Sequence, residues 1–154
     1  MRRFQLSEKD VNMLYAVIDT NVLVSALLSF NSIPGLIVEQ ALTGNIIPVL
    51  HEDILNEYRG VLSREKFDFP IHLVNRLIDG LVGRSVFTEP AYVDVEISLP
   101  DVKDEIFYAV ALNARKYIDS STFIITGNMK HFPDVPFAVT PREALNFLLL
   151  RRMN

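Results

Sequence analysis

Cysteine is absent from the 154 residues. That excludes disulfides and thiolate metal sites, and it suits a reducing cytosol, the location expected for this chain. No window approaches the roughly 18 unbroken apolar residues of a membrane helix, so no membrane association is expected. Arg2 and Arg3 stand at the front, but no apolar stretch of the signal-peptide kind follows them, so secretion is not expected. Low-complexity tracts and internal repeats are missing too. Basic charge is also in short supply. The net charge of -4 supplies no general field to gather nucleic acid. Any such binding has to use a local basic patch, or a metal ion that offsets clustered carboxylates.

What is present is an ordinary globular mixture, 49% hydrophobic and 22% charged, which fits one domain with a proper core. Residues 1–12 are polar and unpatterned and read as an extension before a domain over 13–154.

The chain is organised around Leu14-Tyr15-Ala16-Val17-Ile18-Asp19-Thr20-Asn21. A short unbroken apolar run predicts a strand buried on both faces, as in a parallel sheet. Asp-Thr-Asn then offers short side-chain oxygens to the free amides of a helix start. Asp19 is therefore expected where a central strand gives way to a helix, at the carboxyl end of the sheet. Open α/β sheets bind their ligands there. Simple capping by Asp19 or Thr20 is the plainer explanation of the same spacing.

Helices and strands alternate onward. The spacing predicts helices over about 20–30, 35–43, 51–64, 71–84, 100–116 and from Thr140 to the end. Strands are expected at 46–50, 86–87, 122–126 and 137–139. Pro48 lacks a ladder donor, which puts its strand near an edge. Val93, Val95 and Ile97 alternate with Asp94 and Glu96 and suggest a half-buried strand or edge segment. Thr140-Pro141-Arg142-Glu143 has the form of a capping box. The fold class is α/β, a three-layer α/β/α sandwich around a parallel sheet of four to five strands with right-handed crossovers.

Acidic residues fall at telling places on that frame. Asp19 ends the first buried strand, and Glu57 lies on the margin of an apolar helical stripe. Asp101 and Asp104 bracket a helix start, and Asn128 follows the other strongly buried strand. Oxygen ligands gathered without sulfur or a histidine pair suit a hard ion, Mg²⁺ or Mn²⁺.

Four segments carry a likeness to a known family. They are Val17-Ile18-Asp19-Thr20-Asn21-Val22-Leu23-Val24-Ser25, Ile54-Leu55-Asn56-Glu57-Tyr58, Pro100-Asp101-Val102-Lys103-Asp104, and Ile124-Ile125-Thr126-Gly127-Asn128-Met129-Lys130-His131-Phe132. In this order they resemble the PIN-domain nucleases, within them the VapC-like toxins of toxin–antitoxin pairs. The likeness covers about 13–145. It implies a PIN-like fold and a ribonuclease that uses Mg²⁺ or Mn²⁺ and leaves 5′-phosphate and 3′-hydroxyl ends. Asp19, Glu57 and Asp104 match the family's main carboxylates, and Asp101 matches an accessory acid. Asn128 stands where many members have a fourth Asp, so it can offer an oxygen to a metal but no charge. The resemblance also implies RNA as substrate, a homodimer and an antitoxin partner. Thr20, Asn21 and Thr126 are expected to cap helices or orient carboxylates, and Lys130 to contact substrate.

Plainer readings stand beside these. Asp101 and Asp104 could act as favourable charges at a helix N-terminus. His131, beside Phe132 and Pro133, reads as a loop or packing residue. His51 and His72 head separate helices and share no metal, while Glu89, Asp94 and Glu96 read as a solvated face. Arg59, Arg64 and Lys66 could meet RNA phosphates, though no basic-and-aromatic pattern of an RNA-binding module is visible. Leu27, Leu28, Phe30 and Leu36-Ile37-Val38 are more apolar surface than one core absorbs, which motivates the homodimer. Two rival functions follow. One is a haloacid-dehalogenase-type phosphatase, which lacks its second Asp because Asn21 stands there. The other is a PIN-like domain, weakly active or inactive, that binds RNA or a protein without cutting.

Overall fold

The apolar run before Asp19 forms the middle strand of a sheet. In the computed structural model, which describes residues 13–89 and 99–153, β1 (Leu14–Ile18) is followed by α1 (Thr20–Leu28) and α2 (Ile33–Leu42). Then come β2 (Ile46–Leu50), α3 (Glu52–Leu62), α4 (Ile71–Gly83) and β3 (Val86–Phe87). A 3-10 turn (Val102–Asp104) opens α5 (Glu105–Tyr117), and β4 (Phe123–Ile125), a second 3-10 turn (Met129–His131), β5 (Ala138–Val139) and α6 (Pro141–Met153) complete the order. The segment Val93–Ile97 lies outside the described residues, as does the extension 1–12.

The sheet is five-stranded and wholly parallel, in the order β3-β2-β1-β4-β5. Leu14, Ala16, Val17 and Ile18 are essentially sealed from solvent, so β1 is covered on both faces. Helices on the two sides make the three-layer α/β/α fold expected from the pattern. No single helix among the described residues is long and apolar enough to cross a membrane.

Pro48 has a more specific role than its type suggests. Its strand is not an edge but lies between β1 and the two-residue β3. Leu50 turns its carbonyl to Thr88, so Pro48, two residues earlier, faces the same side. Pairing with β3 starts only at Val49. The missing N–H therefore points where no ladder has begun.

Local signals hold at the helix ends. Ser32 caps α2 by accepting from the Gly35 amide, His51 caps α3 through Asp53, and Thr140 and Glu143 exchange the two bonds of a capping box. Gly35 has no room for a side chain, since a Cβ there would lie 1.9 Å from the Phe30 carbonyl oxygen. That close approach sets the corner between α1 and α2. The helix 33–42 hides Ile37 and Val38 in the core, so of Leu36-Ile37-Val38 only Leu36 is left at the surface, with Leu28 and Phe30.

Candidate active site

β1 and β4 pair in register, with Ile18 beside Ile125. The next residues on each strand, Asp19 and Thr126, therefore emerge together. β1 leads to β2 on one side while β4 lies on the other, so their carboxyl ends flank the point where the strand order reverses. That crevice is where doubly wound sheets bind ligands.

Asp19 is 4% exposed and its orientation is over-determined. Thr126 Oγ1 donates to Asp19 Oδ2 at 2.8 Å, and Asn21 Nδ2 donates to the same oxygen at 3.0 Å. Asn21 Oδ1 in turn accepts from the Gly127 amide at 2.9 Å. Although Asp19 occupies the N-cap position of α1, its side chain makes no capping hydrogen bond. The Thr20 and Asn21 amides lie close enough to favour the carboxylate without meeting that geometry. Burial nevertheless pushes the Asp19 carboxyl above its ordinary range.

Beneath Asp19, Tyr58 in α3 donates its hydroxyl to the Ile18 carbonyl. Burial and the Asp19 charge drive the Tyr58 phenol far above its usual range, so it stays a neutral donor. This bond ties α3 to the end of β1 and carries Glu57, the preceding residue, to the same cleft.

Asp101 and Asp104 divide their work. Asp101 accepts from the Lys103 amide at 2.9 Å and caps the 3-10 turn. Asp104, 6% exposed, makes no capping bond, and its Oδ2 has no hydrogen-bond partner. Burial pushes its carboxyl up to about 6, with the Asp19 charge adding to the rise, His131 opposing it, and Asp101 and Glu57 adding smaller rises.

His131 is the residue that the sequence reading passed over. Its Nδ1 lies 3.3 Å from Asp104 Oδ2, off hydrogen-bond alignment. Donor atoms of Asp19, Asp104 and His131 all lie within 4.8 Å of one another. The Lys130 amide donates to Asn128 Oδ1 at 3.2 Å, which turns Asn128 Nδ2 towards His131 Nε2 at 3.0 Å. Nε2 is then the acceptor, and the ring proton sits on Nδ1, facing Asp104. The available signal was the three-residue spacing from Asn128 to His131 just past a buried strand.

One cleft of about 360 Å³ gathers Asp19, Thr20, Asn21, Glu57, Asp101, Asp104 and His131. Thr126 lies behind Asp19, while Asn128 braces His131 with its amide oxygen already engaged. Lys130 is exposed on the second 3-10 turn and does not line the cleft. Thr20 Oγ1 and Asp104 Oδ2 are the two buried side-chain polar atoms left without hydrogen-bond partners among the described residues, and both belong to this cleft. Such orphans are costly and rare in folded proteins. A divalent cation bound by oxygen donors relieves the carboxylate, and the residues present fit one.

Comparison with known proteins agrees with this geometry. The PIN domain family matches over residues 15–130, and PIN domains are generally metal-dependent nucleases. No curated protein and no solved structure matches the chain. The match runs from Tyr15 in β1 to Lys130 in the second 3-10 turn, and so contains every acid of the cleft, while His131 falls just beyond it. This chain belongs to the PIN-domain family.

Proposed function

We propose that the chain is a ribonuclease that hydrolyses RNA phosphodiester bonds with Mg²⁺ or Mn²⁺ at the Asp19–Asp104 pair. The carrying observation is the buried, unpartnered Asp104 Oδ2, aimed into a cleft with three further acids. Asp19 and Asp104 would hold the ion, with Glu57 and Asp101 available on the walls. When bound, the ion supplies charge to screen the phosphate and to acidify a water towards attack. The protein's own groups do the positioning. Thr126 and Asn21 fix the Asp19 carboxylate, and Val24, Val61 and Phe107 narrow the cleft against bulk water. His131 holds its Nδ1–H beside Asp104, a hydrogen-bond donor for negative charge that develops at the reacting end.

Purified protein is expected to cut RNA in Mn²⁺, to stop on chelation, and to leave 5′-phosphate ends. Binding without cutting at every divalent-ion concentration would overturn hydrolysis in favour of a binding domain, a role that Asn128 in place of a fourth acid would suit. His131→Ala is expected to slow cleavage by ~100-fold or more, the scale of a lost hydrogen-bond donor to transition-state charge. Its Mn²⁺ affinity, followed by the electron paramagnetic resonance of free Mn²⁺, should change little. A large loss of affinity would make His131 a ligand instead.

The likeness to the VapC-like branch supports a role as the toxin of a toxin–antitoxin pair in the cytoplasm. Exposed Leu28, Phe30 and Leu36 support a homodimer or an antitoxin contact. Next to them lies an apolar groove of about 410 Å³ lined by Leu27, Phe30, Leu42, Leu73 and Leu77. A monomer in light scattering at high concentration would overturn the dimer.

A further inference from the structure

The acidic cleft has one wall of a different character. Val61 and Arg64 follow Glu57 at four and seven residues, and all three line the cleft. Val61 stands about 6 Å along α3 from Glu57, and Arg64 follows just past the helix end at Leu62. Phe67, in the turn after it, also lines the cleft.

Phe67 is half-buried, and its ring stacks on Phe69 with centroids 5.3 Å apart and planes 9° from parallel. Phe69 packs against the core, so the plate has a fixed backing. The turn beneath is set by bonds from the Phe67 amide to the Arg64 carbonyl and from the Asp68 amide to the Glu65 carbonyl, both 3.1 Å. Asp68 holds a left-handed φ of 51°. The Lys66 ammonium sits over the Phe67 ring, 5.0 Å from its centroid, and its flexible stem has to swing aside for a base to stack there; Arg64 and Lys103 line the same cleft. A preset aromatic plate beside cations, lining the same cleft as the clustered acids, suits an unpaired base and its phosphates.

We propose that Phe67, backed by Phe69, is a base-stacking subsite for a single-stranded nucleic acid, with Arg64, Lys66 and Lys103 holding the flanking phosphates. The proposal names a substrate-binding element of the nuclease reading and rests on it, but it is tested by binding rather than cleavage. Stacking reads the flat face of a base, so it predicts little preference between RNA and DNA single strands and rejection of a paired duplex.

The test is fluorescence anisotropy with a labelled eight-nucleotide single strand, in Ca²⁺ so that the acidic cleft is neutralised. Wild type, Phe67→Ala and Phe67→Tyr are compared on the intact strand and on strands with one abasic position moved along the chain. Phe67→Ala should weaken binding roughly 5- to 100-fold, the range for losing one stacked base, and Phe67→Tyr should restore it. One abasic position should cost wild type a similar factor and cost Phe67→Ala little. A thermal melt of each variant separates this from a collapsed turn. Equal binding by Phe67→Ala and wild type would overturn the subsite. Equal abasic losses in both proteins at every position would overturn it too, as would no binding by wild type. If the Phe67 dependence holds while Mn²⁺ supports no cleavage, the subsite stands and the hydrolase reading falls.

Discussion

Asp19→Asn is expected to lower RNA cleavage in Mn²⁺ by at least ~1,000-fold while the chain stays folded. A metal ion's stabilisation of the reacting charge is worth several kcal/mol, and each 1.36 kcal/mol is tenfold in rate. The substitution keeps the shape of the side chain. Thr126 Oγ1 and Asn21 Nδ2 both donate to Asp19 Oδ2, so an asparagine there would turn its carbonyl oxygen to them. Its NH₂ group would then face Asp104 and His131, where it repels a cation. Charge and orientation are lost together. Initial rates on a labelled RNA, with circular dichroism to confirm folding, check this. Equal cleavage by variant and wild type would assign the activity to a contaminant and leave a PIN domain that binds without cutting.

Metal-free protein is expected to lose stability as pH rises from about 4 to about 6, owing to Asp104. Its folded carboxyl titrates at about 6 against an ordinary value of 3.8, because burial and the Asp19 charge penalise its ionised form. Across that window the folded chain keeps a proton that the unfolded chain has released. The unfolded state binds fewer protons, so unfolding becomes easier as pH rises. The contribution is complete below the unfolded value and gone above the folded one. Its size is on the order of 2–3 kcal/mol, and Asp19, raised by burial as well, acts in the same direction. Asp104→Asn should remove the effect. The readout is the difference in urea midpoint between wild type and Asp104→Asn, measured in chelator from pH 4 to 7.5. A difference that stays flat refutes the assignment. Mn²⁺ at pH 7 should raise wild type and leave the variant nearly unmoved, because an ion that binds only the folded state adds stability by mass action.

Much of this was legible in the residue order, since strand burial, helix starts and caps are written in neighbours up to four residues apart. Leu14–Ile18 read as a doubly covered strand, Thr140 and Glu143 read as a capping box, and Asp19 read as the end of a central strand. The order of the acidic elements carried the family likeness. The remainder turned on distances across the fold. Asp101 and Asp104 are alike as letters, yet one is held by a local amide and the other is left bare beneath Asp19. The spacing from Asn128 hinted at a partner for His131, but only the placing of the second 3-10 turn beside the start of α5 brings its ring to Asp104. Pro48 argued for a strand near an edge, and the strand order puts β2 next to the edge strand β3, a detail only the sheet could supply. Phe67 and Phe69 fall between the helices expected over 51–64 and 71–84, with no sign in the sequence that their rings stack beside the acids. Local hydrogen bonding and side-chain period are properties of a short window of chain. Which carboxylate goes unpartnered, and which ring lines the cleft, depends on strand register and helix packing between residues as far apart as Asp19 and Thr126.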